Sequence, residues 1–129
     1  QALLVLIKKS PPKGHKLIVV ATTSCYDILR KMGLVATFSN VAHINYVEQA
    51  DQIMTILKTL GIFDTAVCAA IANGMSGRTM TYSSFTEIPI QIGVKKVYTL
   101  AEFANQAEDK ADIFLNALYQ ECKENAAAF

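Results

Sequence analysis

The chain has 129 residues, 52% of them hydrophobic and 18% charged, with 12 Lys+Arg against 11 Asp+Glu and a formal net charge of +1. That balance excludes intrinsic disorder, low-complexity scaffolds and collagen-like repeats. The near-zero charge also excludes a nucleic-acid binder that works by neutralising many phosphates.

The first predicted element is a helix over residues 1–9, an apolar stretch ended by Pro11-Pro12, which lack the N–H donors a helix needs. A turn at Lys13-Gly14 leads into Leu17-Ile18-Val19-Val20-Ala21. This continuous run, rich in β-branched residues, fits a strand covered on both faces, as in a parallel sheet. It closes on Thr22-Thr23-Ser24, and Ser24 with Asp27 three positions on predicts a helix start capped by the serine hydroxyl. Gly33 predicts the end of that helix, and residues 40–44 are a second short strand candidate. Helix, strand, helix and strand over the first 45 residues form the tail of an α/β sheet, and two strands do not hold a sheet alone. The chain opens Gln1-Ala2-Leu3, with neither a basic leader nor an initiator methionine. Both features predict a piece of a longer protein.

From Asn45 the pattern turns helical. Asn45 and Glu48 form a cap-like pair, and Val47, Ala50, Ile53, Met54, Leu57 and Leu60 fall on one helical face closed by Gly61. Asp64 caps a second helix over residues 65–73, closed by Gly74. Residues 75–87 have no periodicity and are expected to be a loop. Ile88-Pro89-Ile90-Gln91-Ile92 is extended, because proline biases its predecessor away from helix. Gly93 opens a helix reaching about Gln106, and a last helix lines up Phe114, Leu115, Leu118, Tyr119 and Cys122. The aromatic residues Phe103, Phe114 and Tyr119 are expected in the core. The second part is therefore a four-helix cluster with one extended segment. Residues 1–64 carry 7 Lys+Arg and 4 acids, residues 65–129 carry 5 and 7, so the chain is mildly polarised, with Lys8, Lys9, Lys13 and Lys16 grouped near its start. The longest uncharged stretch, residues 32–47, is too polar and too short to span a bilayer.

A few residues carry chemistry. Ser24 sits where a buried strand meets a helix, the usual place for ligand groups in an open parallel sheet; a plain capping role stands beside that reading. Lys95 lies in the first turn of a helix, where the dipole disfavours a cation. A lysine there makes sense if an anion binds the free N–H groups of the helix start, and a solvated lysine beside Lys96 is the simpler alternative. Gly93 permits close backbone approach, or it is only a turn before a helix. Cys25 at a helix start with His43 on the next strand is a conceivable nucleophilic pair, without a third orienting group. Cys25, Cys68 and Cys122 are an odd set without a CxxC spacing, which predicts a reduced, cytosolic protein; with His15 and His43 they match no zinc pattern.

The residues from Gln1 through Lys9, then Pro11-Pro12, then Lys16-Leu17-Ile18-Val19-Val20-Ala21-Thr22-Thr23-Ser24 resemble the N-ethylmaleimide-sensitive fusion protein family of AAA ATPases. The matching region is the family's second ATPase domain, after the Walker B strand. Ala36-Thr37-Phe38-Ser39 and Ile92-Gly93-Val94-Lys95-Lys96 continue the resemblance, which covers most of the chain and is weakest over residues 65–87 and at the C-terminus.

The resemblance implies a predominantly helical piece in two parts. Residues 1–45 would be the α/β tail of a AAA P-loop ATPase sheet, and residues 46–129 a small four-helix lid subdomain. It implies an ATPase that disassembles SNARE complexes after membrane fusion, as a hexamer of identical subunits working through an adaptor protein. The second ring would mainly stabilise the hexamer with bound ATP. Ser24 would match sensor 1, a polar group near the γ-phosphate that orients the attacking water; Lys95 would match sensor 2, and Gly93 and Val94 would lie near purine and ribose. ATP and Mg²⁺ belong to the complete domain, and this piece alone is expected to hold neither. The implied setting is the cytoplasm and the periphery of trafficking membranes, without membrane insertion or nucleic acid.

This sequence also departs from the family pattern. Cys25 stands where AAA proteins usually have an arginine after sensor 1, and no G-x-x-x-x-G-K-[ST] loop or Walker B acidic pair is present. Gly74-Met75-Ser76-Gly77-Arg78-Thr79 has the wrong spacing and no lysine. Without a phosphate-cradling loop and Mg²⁺ ligands, phosphoryl transfer loses its main electrostatic support, so this chain by itself is not expected to hydrolyse ATP. The competing expectation is an independent helical module that docks a protein partner.

Overall fold

The computed structural model describes residues 2–81 and 86–128. The chain divides into two compact units, Gln1–Ile44 and Asn45–Phe129.

The first unit holds helix α1 (Ala2–Lys8), helix α2 (Tyr26–Lys31) and a 3-10 turn at Val35–Thr37. The helix expected over residues 1–9 is present, although Gln1 lies outside the described residues. Both expected strands are corrected: residues 17–21 and 40–44 pair with nothing among the described residues. A strand is held by the ladder of its neighbours rather than by its own side chains, and the described residues of this unit supply no such neighbour. The apolar run is left in solvent, with Ile18 86% and Val20 84% exposed. Ser24 does not cap α2. Cys25 occupies the cap position without a side-chain cap bond, and the Cys25 N–H donates instead to Thr23 Oγ1 at 2.9 Å, so the helix starts later than expected. Gly33, at φ 77°, follows α2 in the left-handed region that turns the chain out of a helix.

The second unit carries the core. Its helices are α3 (Ala50–Leu60), α4 (Thr65–Asn73), α5 (Val94–Asn105) and α6 (Lys110–Ala127). Strands β1 (Thr79–Thr81) and β2 (Glu87–Pro89) lie between α4 and α5 as an antiparallel pair, Met80 opposite Ile88. The loop expected over residues 75–87 is thus corrected in part, and its residues 82–85 lie outside the described residues. The ladder forms because Met80 and Ile88 are both buried on one face, and cross-strand burial outweighs the weak local preference of a Thr/Gly/Ser stretch.

α3 starts later than the Asn45–Glu48 pair suggested. Val47 is held extended by an antiparallel bridge to Ile92, with Val47 N–H to Ile92 O at 2.8 Å and Ile92 N–H to Val47 O at 3.1 Å. The chain therefore becomes helical only after Gln49, where Gln52 Oε1 accepts the N–H groups of Glu48 and Gln49. Gly61 ends α3 at φ 69°, and Asp64 caps α4 by accepting the Val67 N–H at 2.8 Å.

α6 packs against α4, α5 and β2, and α3 packs against α4 and α5. Ile53, Leu57, Ile71, Val97, Phe114 and Leu118 are fully shielded from solvent, each large side chain contributing about 1.5–3 kcal/mol of transfer free energy. Phe103 is a correction: it is 62% exposed. The core face of α5 runs through Val97, Ala101 and Ala104, and at 100° per residue Phe103 points well away from it.

Gly74 is fixed by packing rather than by its backbone. Its φ is an ordinary −81°, but an added Cβ would meet Leu115 Cδ1 and lie 3.3 Å from Leu115 Cγ. Gly74→Ala is expected to destabilise the protein by about 1–3 kcal/mol, the usual cost of overpacking, read from the urea midpoint. Gly77→Ala gives no such contact within 4 Å, although Gly77 is left-handed at φ 58°, so its smaller expected loss is a backbone effect.

Candidate functional site

Among the residues singled out by sequence, Ser24 belongs to the first unit and Gly93, Val94 and Lys95 to the second. Ser24 is exposed on a bend, its Oγ 3.8 Å from Cys25 Sγ. His43 packs its ring edge-on against Tyr26, centroids 4.6 Å apart. No hydrogen bond joins Cys25 to His43 among the described residues, so nothing there activates a thiol nucleophile.

The start of α5 is the better-formed candidate. The extended path of residues 88–92 delivers the chain to Gly93, the N-cap, at φ −69° and ψ 143°. Gly93 O then accepts the N–H groups of Lys96 and Val97 at 3.0 and 3.2 Å. No side chain caps this end, and no acidic residue stands in the first turn. The first-turn N–H groups and the positive end of the helix dipole thus meet no capping side chain among the described residues. The backbone angles of Gly93 suit any residue, and a Cβ there would meet nothing within 4 Å. The fold of this segment does not itself require glycine at 93.

Two lysines follow, and the structure separates them. Lys96 Nζ lies 3.5 Å from Glu121 Oε2 on α6. Lys95 is exposed and its side chain makes no hydrogen bond or ion pair among the described residues. One cation is engaged in the fold and the other is available beside an uncapped helix start, an arrangement that can take an anion. Val94 is half-buried against the core cluster and anchors the turn.

Sequence reasoning missed the α6 side chains behind this turn. Gln91 N–H donates to Cys122 Sγ at 3.5 Å, and Gln91 O accepts from Asn125 Nδ2 at 2.7 Å. Burial pushes the Cys122 thiol above its ordinary 9.0, opposed by the Gln91 N–H and reinforced by Glu121. The buried stripe containing Cys122 was legible in the sequence, and Asn125 continues it one turn later. Nothing in the sequence marks Gln91 as their target.

No three His, Cys, Asp or Glu side chains among the described residues could together hold a metal ion. Nor, among those residues, is any helix long and apolar enough to cross a membrane.

No family model matches the chain. It is similar to the vesicular-fusion protein sec18 of Schizosaccharomyces pombe, 31% identical over 92% of this chain and 14% of that protein. The vesicle-fusing ATPase of Dictyostelium discoideum is 34% identical over 84% of this chain and 13% of its own length. The vesicular-fusion protein of Saccharomyces cerevisiae is 24% identical over 93% and 15%. The chain spans about one seventh of the length of the curated relatives it matches.

Proposed function

Because this chain is homologous over most of its length to a segment of the vesicle-fusing ATPases, we propose that it serves as the tail and lid of such an ATPase domain. The similarity over 84–92% of the chain to these two proteins is the observation that carries this reading. In it, the first unit completes an α/β sheet whose other strands lie elsewhere in a longer protein. The second unit is the helical lid of the second AAA domain. The exposed apolar run of residues 17–21, which finds no partner among the described residues, supports the first assignment. The self-contained core of the second unit supports the other.

The lid's contribution is electrostatic. Lys95 and the uncapped start of α5 meet the terminal phosphates of ATP, and Gly93 and Val94 lie against purine and ribose. The open space at Gly93 and the unpaired ammonium of Lys95 fit that nucleotide. Ser24, beyond the apolar run, would by the same resemblance supply the sensor 1 hydroxyl of the complete domain. Mg²⁺ belongs, in this reading, to the complete domain, bound with the phosphates of ATP. With bound ATP the domain stabilises a hexamer, within a protein that separates SNARE complexes through an adaptor at cytoplasmic trafficking membranes.

The test uses a longer chain joining this segment to a phosphate-binding loop. Lys95→Ala is expected to weaken ATP binding there about tenfold or more, since a hydrogen bond to a charged group contributes about 1.5–3 kcal/mol. Its unfolding midpoint should not move, because the side chain is exposed and unpaired. ATP binding unchanged in Lys95→Ala overturns the reading of this site. If the native protein has no phosphate-binding loop, an independent helical module takes its place.

A further inference from the structure

Gln91 is the residue from which the chain turns towards α5, and its two backbone groups are both taken by side chains of α6. The Gln91 N–H goes to Cys122 Sγ and its carbonyl to the Asn125 amide. Its neighbours follow a different rule. Ile90 N–H donates to Arg78 O at 2.7 Å and Ile92 bridges Val47, both backbone to backbone. At Gln91 alone in this run, two side chains do what a neighbouring strand would do. Five residues further on, Lys96 meets Glu121, which precedes Cys122 on α6. The two ends of the turn carrying Gly93, Val94 and Lys95 are therefore tied to one short stretch of α6.

We propose that Asn125 and Cys122 are positioning residues for the nucleotide-binding start of α5. By holding Gln91 they fix where Gly93 presents its backbone and from where Lys95 reaches. This rests on the nucleotide reading given above. A long lysine side chain and two or three N–H groups bind a phosphate well only from a fixed base. A loosened turn must be ordered again each time the nucleotide binds. The Cys122 thiol is buried and protonated at neutral pH, so it holds the Gln91 N–H as a neutral acceptor.

Asn125→Ala in the present chain is expected to raise amide exchange about tenfold at Gln91, Ile92 and Lys96, the hydrogen-bonded N–H groups of residues 91–96, with α3 and α4 unchanged. In the longer chain carrying a phosphate-binding loop it is expected to weaken ATP binding about five- to tenfold, without touching the nucleotide. Asn125→Asp adds a signature that packing alone does not give. An ionised carboxylate cannot donate to Gln91 O, whereas a protonated one can. Its excess exchange over the unmodified protein should close as pH falls through the carboxyl titration.

Should Asn125→Ala fail to fold, Asn125→Asp and the pair Cys122→Ala and Cys122→Ser carry the same comparison, serine retaining an acceptor for the Gln91 N–H. Unchanged exchange at Gln91, Ile92 and Lys96 overturns the tie itself. Faster exchange with unaltered ATP affinity, while Lys95→Ala still weakens ATP, overturns the positioning role and leaves the nucleotide reading standing. If Lys95→Ala has no effect either, the nucleotide reading falls and this inference falls with it.

Discussion

Phe114→Ala is expected to lower the unfolding free energy by about 3–5 kcal/mol, the usual cost of removing a large aromatic from a core. Phe114 is completely buried on α6, the helix that packs against α4, α5 and β2. Its ring meets Phe63 in a T-shaped contact, centroids 6.1 Å apart at 73°, and such a pair adds about 0.5–1.5 kcal/mol beyond burial. Truncation removes transfer free energy and leaves a cavity beside the Phe63 ring, which the surrounding core closes only in part. Against a total stability of about 5–15 kcal/mol for an ordinary domain, this is the largest single loss expected here. Phe103→Ala is the control: the same chemical change at a 62% exposed site should cost about 0.5 kcal/mol or less. Urea midpoints at constant slope separate the two; comparable losses at both sites would contradict the assigned core.

The second large effect is a division of the chain. Residues 45–129 are expected to fold alone with nearly the full unfolding midpoint, while residues 1–44 remain largely unfolded. Among the described residues every buried one lies in the second unit, beginning with Val47. The first unit has two short helices and a 3-10 turn and, among the described residues, no buried side chain, and helices of six or seven residues do not persist in water without tertiary packing. It also carries six of the 12 Lys+Arg and one of the 11 acids, so self-repulsion adds to its missing core. Hydrogen exchange resolved by residue is the measurement, with protection confined to the second unit as the expected result. Uniform protection from residue 2 onward would refute the division. The bare run at residues 17–21 should also make the full chain more prone to aggregate than residues 45–129, since an unpaired apolar segment templates strand pairing.

The curated relatives explain why both results are expected of one chain. A segment spanning about one seventh of their length includes a helical unit that closes on its own apolar faces. In the proposed reading it also includes a sheet remnant whose partners lie elsewhere. The two halves of the sequence look equally hydrophobic, and only the connectivity of their contacts distinguishes them.

What the sequence determined by itself was local and periodic. The face of α3 through Ile53 and Leu57, the stripe of α6 through Phe114, Leu118 and Cys122, the cap at Asp64 and the terminator at Gly61 were all legible, because each depends on residues within one or two turns. Lys95 could likewise be placed in a first helical turn from Gly93 onward. Tertiary structure decided everything that depends on a distant partner. It left residues 17–21 unpaired, paired Met80 with Ile88, delayed α3 by bridging Val47 to Ile92, and turned Phe103 to solvent. It also engaged Lys96 and left Lys95 unpaired, and set Cys122 and Asn125 against the backbone of Gln91. A helix closes its hydrogen bonds four residues away and so is written in its own segment. A strand, a buried face or a side chain seated on a remote carbonyl closes them across the fold, where no local pattern reaches.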